Sequence, residues 1–291
     1  MTPLLEIRDL RTYYPIRRGI FARTVGAVRA VDGVNLTLQA GETVGVVGES
    51  GCGKTTLART VLRLERPRTG AVLVDGVDIA TLRGAALKAY RRQVQVVFQD
   101  PFASLNPRHT VLDMVTEGML AHGLATMSNR RAQAARLLED VGLGVELLDR
   151  YPHAFSGGQR QRIAIARALS LGPRLLICDE AVSALDLSVR AQILNLLADL
   201  RARRGLAYLF ITHDMAVVQH LADRIVVMRD GRVVEAGPAE QVLACPSHPY
   251  TKELLAAVPR VPSFCSGLSG QKSITSSHSC ETAKASSVSR G

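Results

Sequence analysis

Residues 48–55 read Gly48-Glu49-Ser50-Gly51-Cys52-Gly53-Lys54-Thr55, which fills the pattern GxxxxGK[ST] completely. The run ETVGVVG before them has the apolar character of a buried strand, and KTTLARTVLRLE after them is helix-periodic. The glycines let the backbone wrap closely around a bound group. The N–H groups of the turn and the helix N-terminus then offer partial positive charge to an anion. In this reading Gly48, Glu49, Ser50, Gly51, Cys52 and Gly53 cradle the phosphates of a nucleotide. Lys54 reaches the β- and γ-phosphates, the Thr55 hydroxyl ligates Mg²⁺, and Thr56 lies beside it on phosphate. An ordinary glycine-rich turn would require neither the lysine nor the flanking strand and helix.

Outward from this turn, Asp179 and Glu180 close the apolar run RLLIC. A parallel strand carries such terminal carboxylates to the sheet edge where phosphates sit. Asp179 is placed to hold Mg²⁺ through water, and Glu180 to polarise an attacking water as general base. Two acids at a strand end mean little alone; paired with the glycine turn they form a constellation. His213 ends the strand AYLFIT, where it can sense a γ-phosphate, and Gln99 ends the strand VQVVF.

The rest of the chain fits an α/β fold with an insertion. Residues 1–47 read as strands, with turn signals at Asp32-Gly33 and Ala40-Gly41, and AVLVDGVDI and IVVMRDGRVVEAG read as hairpins turning at Asp75-Gly76 and Asp230-Gly231. Residues 102–172 change to helical periodicity without strand signals, which marks an inserted helical subdomain. RLLICDE then returns as a wholly apolar strand, as a parallel sheet covered on both faces requires. LSVRAQILNLLADLRARRG is a helix closed by Gly205. Residues 262–291 hold ten serines, and such a segment buries too little apolar surface to offset its ordering entropy, so a disordered tail is expected.

Composition narrows the classes. The chain has 291 residues, 47% of them hydrophobic, which supports a real core and excludes global disorder. No run approaches the ~18 apolar residues of a membrane helix. The opening MTPLLEIRDLRTYY lacks a basic-then-apolar leader, so a cytosolic address is expected. Five scattered cysteines, without CxxC, fit reduced thiols. The net charge of +10 is compatible with nucleic acid, an anionic membrane face or simply an arginine-rich surface. Aromatics at 4% and the absence of Trp argue against base-stacking platforms. Only five of the 36 basic residues are lysine, which makes Lys54 notable.

Phe155-Ser156-Gly157-Gly158-Gln159 precedes the helical run RQRIAIARALS. Small residues at a helix N-terminus make a second anion site. One nucleotide does not need two cradles in one chain, so a site shared between two chains suggests itself. The ordered series GESGCGKTT, VFQDP, FSGGQRQR, LLICDE, SALD and ITHD resembles the ATP-binding subunits of ABC transporters over about residues 4–260. Phe155 replaces the usual Leu before the serine and glycines. The resemblance implies a P-loop NTPase (RecA-like) core with a mainly parallel sheet, an antiparallel β subdomain and the helical insertion, within an ATP-binding domain over residues 1–260. It implies that Gln99 lies near Mg²⁺ and the attacking water, with the segment after it on a membrane partner. Ser156, Gly157, Gly158 and Gln159 would complete the nucleotide site of an opposing subunit. Ser183, Ala184, Leu185 and Asp186 would cross the dimer interface, and His213 would contact the γ-phosphate. Tyr14, or its neighbour Tyr13, would stack on adenine.

A narrower resemblance lies in VRAVDGVNLTL, VFQDPFASLNPRHTV, YPHAFSGGQRQRIAIARAL and PSHPYTKELLAAVP. These are similar to the oligopeptide and dipeptide importers, a branch that includes some nickel transporters. His248-Pro249-Tyr250-Thr251 is that branch's C-terminal marker, within an extension over about residues 238–260. The insertion YYPIRRGIFARTVG resembles the second ATPase subunit of the heterodimeric systems. The implied partners are two transmembrane permease subunits, a paralogous ATP-binding subunit and, indirectly, an extracytoplasmic substrate-binding protein, with the chain peripheral on the cytoplasmic face of the cell membrane. An iron–sulfur cluster is not expected, because Cys245, Cys265 and Cys280 are sparse where cluster ligation wants closely spaced thiolates. The competing class is a soluble ABC-type ATPase acting on nucleic acid or ribosomes. Such proteins carry two cassettes or long coiled-coil insertions, and this sequence has neither.

Overall fold

The computed structural model describes residues 2–18, 23–100 and 104–257. The serine-rich segment 262–291, expected to be disordered, lies outside the described residues. In chain order the elements begin with β1 (Leu5–Arg18), β2 (Arg23–Leu38), β3 (Thr43–Val47), α1 (Lys54–Val61), β4 (Thr69–Val74), β5 (Val77–Asp78), α2 (Gly84–Gln93) and β6 (Val94–Val97). The central part carries α3 (Val111–Ala121), α4 (Arg130–Asp140), α5 (Gly157–Leu169), β7 (Leu175–Asp179) and α6 (Leu187–Arg204). The chain continues with β8 (Ala207–Thr212), α7 (Met215–Leu221), β9 (Arg224–Arg229), β10 (Arg232–Pro238), α8 (Ala239–Ala244) and α9 (Pro249–Ala256).

Two sheets result. One is antiparallel with strand order β2-β1-β4-β5, and the other runs β10-β9-β3-β8-β7-β6. In the second sheet β9, β3, β8, β7 and β6 are parallel, and β10 returns antiparallel on the edge. Every residue of β3, β7 and β8 is buried. That is why these strands read as unbroken apolar runs and not as alternations.

The strand period of two divides the core between the two faces of this sheet. Leu176 and Cys178 of β7, with Tyr208 and Phe210 of β8, join the core of the helical insertion around Val115, Leu138, Phe155 and Ile163. Leu175, Ile177, Leu209 and Ile211 point the other way, to α1 and the antiparallel sheet around Leu5, Ile7 and Val31. Positions of this kind each lose about 2–5 kcal/mol on truncation to alanine. The Tyr208 hydroxyl, carried into the apolar interior, donates to the Leu197 carbonyl at 2.9 Å, as a buried phenol must.

Asp32-Gly33 is not a turn, contrary to the reading of the sequence. β2 runs through it, and the pairing with β1 slips between Ile7 and Leu10 and again between Leu10 and Arg11. Gly33 (φ 78°) and Asp9 (φ 40°) take the positive-φ backbone of this bulge, and the Asp9 N–H donates to Asn35 Oδ1 at 2.9 Å. An Asp-Gly pair supplies positive φ, and a bulge uses it as readily as a reversal. At Asp75-Gly76 and Asp230-Gly231 the same pair does reverse the chain, between β4 and β5 and between β9 and β10. Helix α6 ends at Gly205 in the left-handed region (φ 64°).

The C-terminal helices are fastened to β10 through Glu235. Its Oε1 accepts the N–H and the hydroxyl of Ser247, both at 2.8 Å, and its Oε2 accepts the His248 N–H at 3.1 Å. Burial alone would raise this carboxyl, but these donors, with the Thr251 hydroxyl beside them, hold it at about 2. A carboxylate held below its unfolded value stabilises the fold above that value and loses the contribution as pH falls toward the folded one. Glu235→Gln is therefore expected to lower the thermal midpoint at pH 7, with the gap to wild type closing between pH 4.5 and about 2. Melting curves across that range check it, and a gap independent of pH would contradict it.

Candidate functional site: a phosphate cradle and a second helix end

Strand β3 delivers the chain to the glycine turn, and two of its glycines are required by close approach. A Cβ at Gly48 (φ 156°) would stand 2.2 Å from the Met228 carbonyl oxygen, and one at Gly53 (φ 107°) would stand 1.9 Å from the Ala30 carbonyl oxygen. The tip of the β9–β10 hairpin closes on the same turn, with the Gly231 N–H donating to the Cys52 carbonyl at 3.0 Å. No side chain caps the N-terminus of α1. The amides of its first turn are thereby left for a ligand.

Lys54 opens α1, is 4% exposed, and donates from Nζ to the carbonyls of Gly48 at 2.6 Å and Glu49 at 2.8 Å. Beside it lies a cavity of about 300 Å³ lined by Ser50, Gly51, Gly53, Lys54, Thr55, Thr56, Gln99 and Glu180, and by Ala30 from β2. Eight of these nine were legible as candidates from the sequence. Ala30 was not, because a strand alanine carries no chemical signal.

Asp179 ends β7, buried, and its Oδ1 accepts the Thr55 hydroxyl at 3.2 Å. Burial pushes this carboxyl up, against the Thr55 bond and the charges of Arg59 and Lys54. A hydroxyl and a carboxylate oxygen held together are hard oxygen donors, the set that suits Mg²⁺. Gln99 borders both the main cavity and an adjoining hollow of about 300 Å³ that includes Thr55 and Asp179. The residues present fit the cation expected from the sequence.

Glu180 has a left-handed backbone (φ 51°), which is strained for a non-glycine residue. It is held there by three bonds. Its N–H donates to the Ile211 carbonyl at 2.8 Å, and its own carbonyl accepts the Ser183 N–H at 3.1 Å and the Ser183 hydroxyl at 2.9 Å. The side chain is 15% exposed, and His213 Nδ1 lies 3.4 Å from its Oε1. The Arg190 guanidinium joins the Asp214 carboxylate at 2.8 Å, which fastens the segment after His213 to α6.

The sequence left two tyrosines open for a stacking role. Tyr13 is engaged: its hydroxyl donates to Asp32 Oδ1 at 2.5 Å, and its ring lies 5.8 Å from the Arg29 guanidinium and 5.3 Å from that of Arg68. Tyr14 follows it on β1 and is half-buried. Neither tyrosine lines the main cavity.

Ser156 caps α5 reciprocally. Its Oγ accepts the Gln159 N–H at 3.3 Å, and Gln159 Oε1 accepts the Ser156 N–H at 3.0 Å. A Cβ at Gly158 would strike Val189 at 2.4 Å, and one at Gly157 would reach Leu185 at 3.7 Å. Residues 156–159 and 183–186 thus lie together, and none of them lines the cavity at Lys54. Ser156, Ala184 and Asp186 are exposed, and Leu187 is 80% exposed. Phe155, buried in the helical core, keeps the apolar anchor before the serine. The chain therefore carries two separate groups of candidate residues, one at each of two helix N-termini. Of the C-terminal cysteines, Cys245 is exposed, and Cys265 and Cys280 lie outside the described residues.

The ABC transporter family pattern matches residues 31–183. The chain is 51% identical over 257 residues to the oligopeptide transport ATP-binding protein AppF of Bacillus subtilis, covering 88% of this chain and 78% of that one. It is 54% identical to the probable peptide ABC transporter ATP-binding protein y4tS of Sinorhizobium fredii, over 88% of this chain and 72% of the relative. It is 52% identical to the glutathione import ATP-binding protein GsiA of Escherichia coli, of which it spans 41%. Among solved structures it superposes on the dimeric post-hydrolysis ATP-binding cassette MJ0796, bound to ADP and Pi (TM-score 0.71, 29% identity, 81% of this chain and 98% of that one). It also superposes on cbiO1 of Clostridium perfringens, part of an ABC transporter complex (TM-score 0.73, 28% identity, 84% and 92%). The chain belongs to the ABC transporter family, as an ATP-binding cassette that hydrolyses ATP.

Cys52 gives this cradle a chemical handle. It is buried, its Sγ lies 3.7 Å from Lys54 Nζ, and burial pushes its thiol up, which slows thiolate chemistry at neutral pH. A bulky maleimide is expected to react at once with exposed Cys245 and slowly with Cys52. Modification at Cys52 then blocks nucleotide binding, and MgATP protects it. Mass spectrometry of the time course reads both sites, and equal labelling of Cys52 with and without MgATP would contradict the placement.

Proposed function

We propose that this chain is the ATP-hydrolysing subunit that powers import of peptides, closing on a second ATPase chain and moving a pair of permease subunits. One observation carries the reading: the two candidate groups sit apart on this chain, as two half-sites would, in a sequence more than half identical to peptide-transporter ATP-binding proteins. The marker His248-Pro249-Tyr250-Thr251 supports the peptide branch. Among the described residues no helix is long and apolar enough to cross a membrane, which fits a division of labour with permease partners. The long β1–β2 ribbon favours the second-subunit role in a heterodimer, with an extracytoplasmic binding protein choosing the cargo.

The roles follow from the chemistry of each group. Amides of the glycine turn and of the first turn of α1, with the Lys54 ammonium, bind the phosphates of ATP, and Tyr14 stacks on the adenine. Thr55 and Asp179, with Gln99, would hold Mg²⁺, which supplies neutralisation of the charge on the phosphate oxygens when bound. Glu180 accepts the proton of the attacking water at its carboxylate, and His213 holds the γ-phosphate from the side of Glu180. Ser156, Gly157, Gly158 and Gln159 face the nucleotide of the partner chain, and residues 183–186 cross the interface. The nucleotide is then part of the interface. Loss of the γ-phosphate removes contacts on both sides and lets the pair reopen.

Glu180→Gln is expected to keep ATP affinity, lower turnover by about 10²–10⁴-fold, and accumulate a closed dimer. Nucleotide titration, steady-state hydrolysis and size-exclusion chromatography read the three effects; normal turnover would sink the assignment of the base. In proteoliposomes holding the permease pair, both ATPase chains and the binding protein, ATP is expected to drive uptake of a labelled di- or oligopeptide. Uptake of a nickel chelate instead, or salt-sensitive binding of nucleic acid with no membrane association, would overturn the cargo or the class.

A further inference from the structure

His248-Pro249-Tyr250-Thr251 belongs to neither half-site, yet it reaches the phosphate cradle. Pro249 occupies the first position of α9 and His248 caps it, with Nδ1 accepting the Tyr250 N–H at 3.1 Å. The bonds from Ser247 and His248 to Glu235 fix where this first turn lies on β10. Tyr250 projects from that turn into the interior and is 2% exposed. Its ring packs in a cluster with Val47, Val218, Ile225 and Val227, and the Arg229 guanidinium lies 4.8 Å from the ring centroid. Its hydroxyl accepts the backbone N–H of Glu49 at 2.9 Å.

That N–H belongs to the peptide plane joining Gly48 to Glu49. The other end of the same plane, the Gly48 carbonyl, accepts the Lys54 ammonium at 2.6 Å. A planar amide bonded at both ends cannot rotate without losing one bond, and each bond polarises the amide in favour of the other. Among the described residues Tyr250 is the acceptor for this N–H, across 201 positions of sequence. We propose that Tyr250 is a positioning residue for nucleotide binding, its hydroxyl fixing the Gly48–Glu49 peptide plane and, through it, the Lys54 ammonium. The C-terminal extension then acts as a brace on the cradle, running from Glu235 through the first turn of α9 to Tyr250. The inference rests on the reading of residues 48–56 as the phosphate site.

Tyr250→Phe removes the hydroxyl and keeps the ring, its burial and the Arg229 contact. MgADP and MgATP titrated calorimetrically into the full chain should bind about tenfold more weakly, with stoichiometry unchanged and the thermal midpoint within about 2 °C of wild type. In steady-state hydrolysis by the assembled transporter the effect should fall on KM, with kcat within about twofold. Glu235→Gln, one step further out, should weaken binding about two- to threefold, and it carries the test should Tyr250→Phe fail to fold. Wild-type dissociation constants in both variants, or a fall in stoichiometry or kcat at unchanged affinity, would overturn the proposal. Lys54→Ala separates the two levels. If it weakens binding while Tyr250→Phe does not, the brace is wrong and the cradle stands; if Lys54→Ala binds as wild type, the cradle reading itself is wrong.

Discussion

Close approach of backbone to backbone at the glycine turn is the constraint on which the site depends. Amides can converge on a phosphate only if the chain folds tightly enough for carbonyls of neighbouring strands to stand where side chains would be. The Met228 and Ala30 carbonyl oxygens stand 2.2 and 1.9 Å from where a Cβ of Gly48 or Gly53 would lie. β2 and β9, from two different sheets, therefore both bound the turn. Ala30 of β2 and the hairpin tip at Gly231 are part of the same enclosure: Gly231 reaches Cys52 with its N–H and Asp32 with its carbonyl.

The two faces of the six-stranded sheet then do different work. One face carries α1 and the antiparallel ribbon, and so the cradle. The other face carries the helical insertion, and so the capped N-terminus of α5. Alternating residues of β7 and β8 belong to the two cores, so both groups of candidate residues hang from the same pair of strands. β7 itself delivers Asp179 and Glu180, while Leu185 and Val189, a few residues later, back the glycines of α5. The segment from Asp179 to Val189 thus runs from one group to the other.

Much of this was legible in the sequence because its signals are local. Wholly apolar β3, β7 and β8, the glycine turn with its lysine, the helix-periodic insertion and the Gly205 cap are each set by neighbours a few positions apart. Three features were not. Asp32-Gly33 encodes a backbone angle, and only the presence of β1 opposite decides that it makes a bulge and not a reversal. Ala30 lines the cavity, and a strand alanine gives no chemical signal in sequence. The Tyr250–Glu49 bond spans 201 positions, and no periodicity records a contact between residues so far apart.

Lys54 rests on the Gly48 and Glu49 carbonyls instead of reaching into open solvent. Its positive charge is already sheltered by main-chain oxygen before any guest arrives. An incoming anion does not meet a naked cation; it competes with two carbonyl oxygens and the Cys52 sulfur for the hydrogens of the amine. Attraction is tempered and aim is sharpened. Such a mooring rewards a guest that presents charge at one particular point, and gives little to one that is merely acidic.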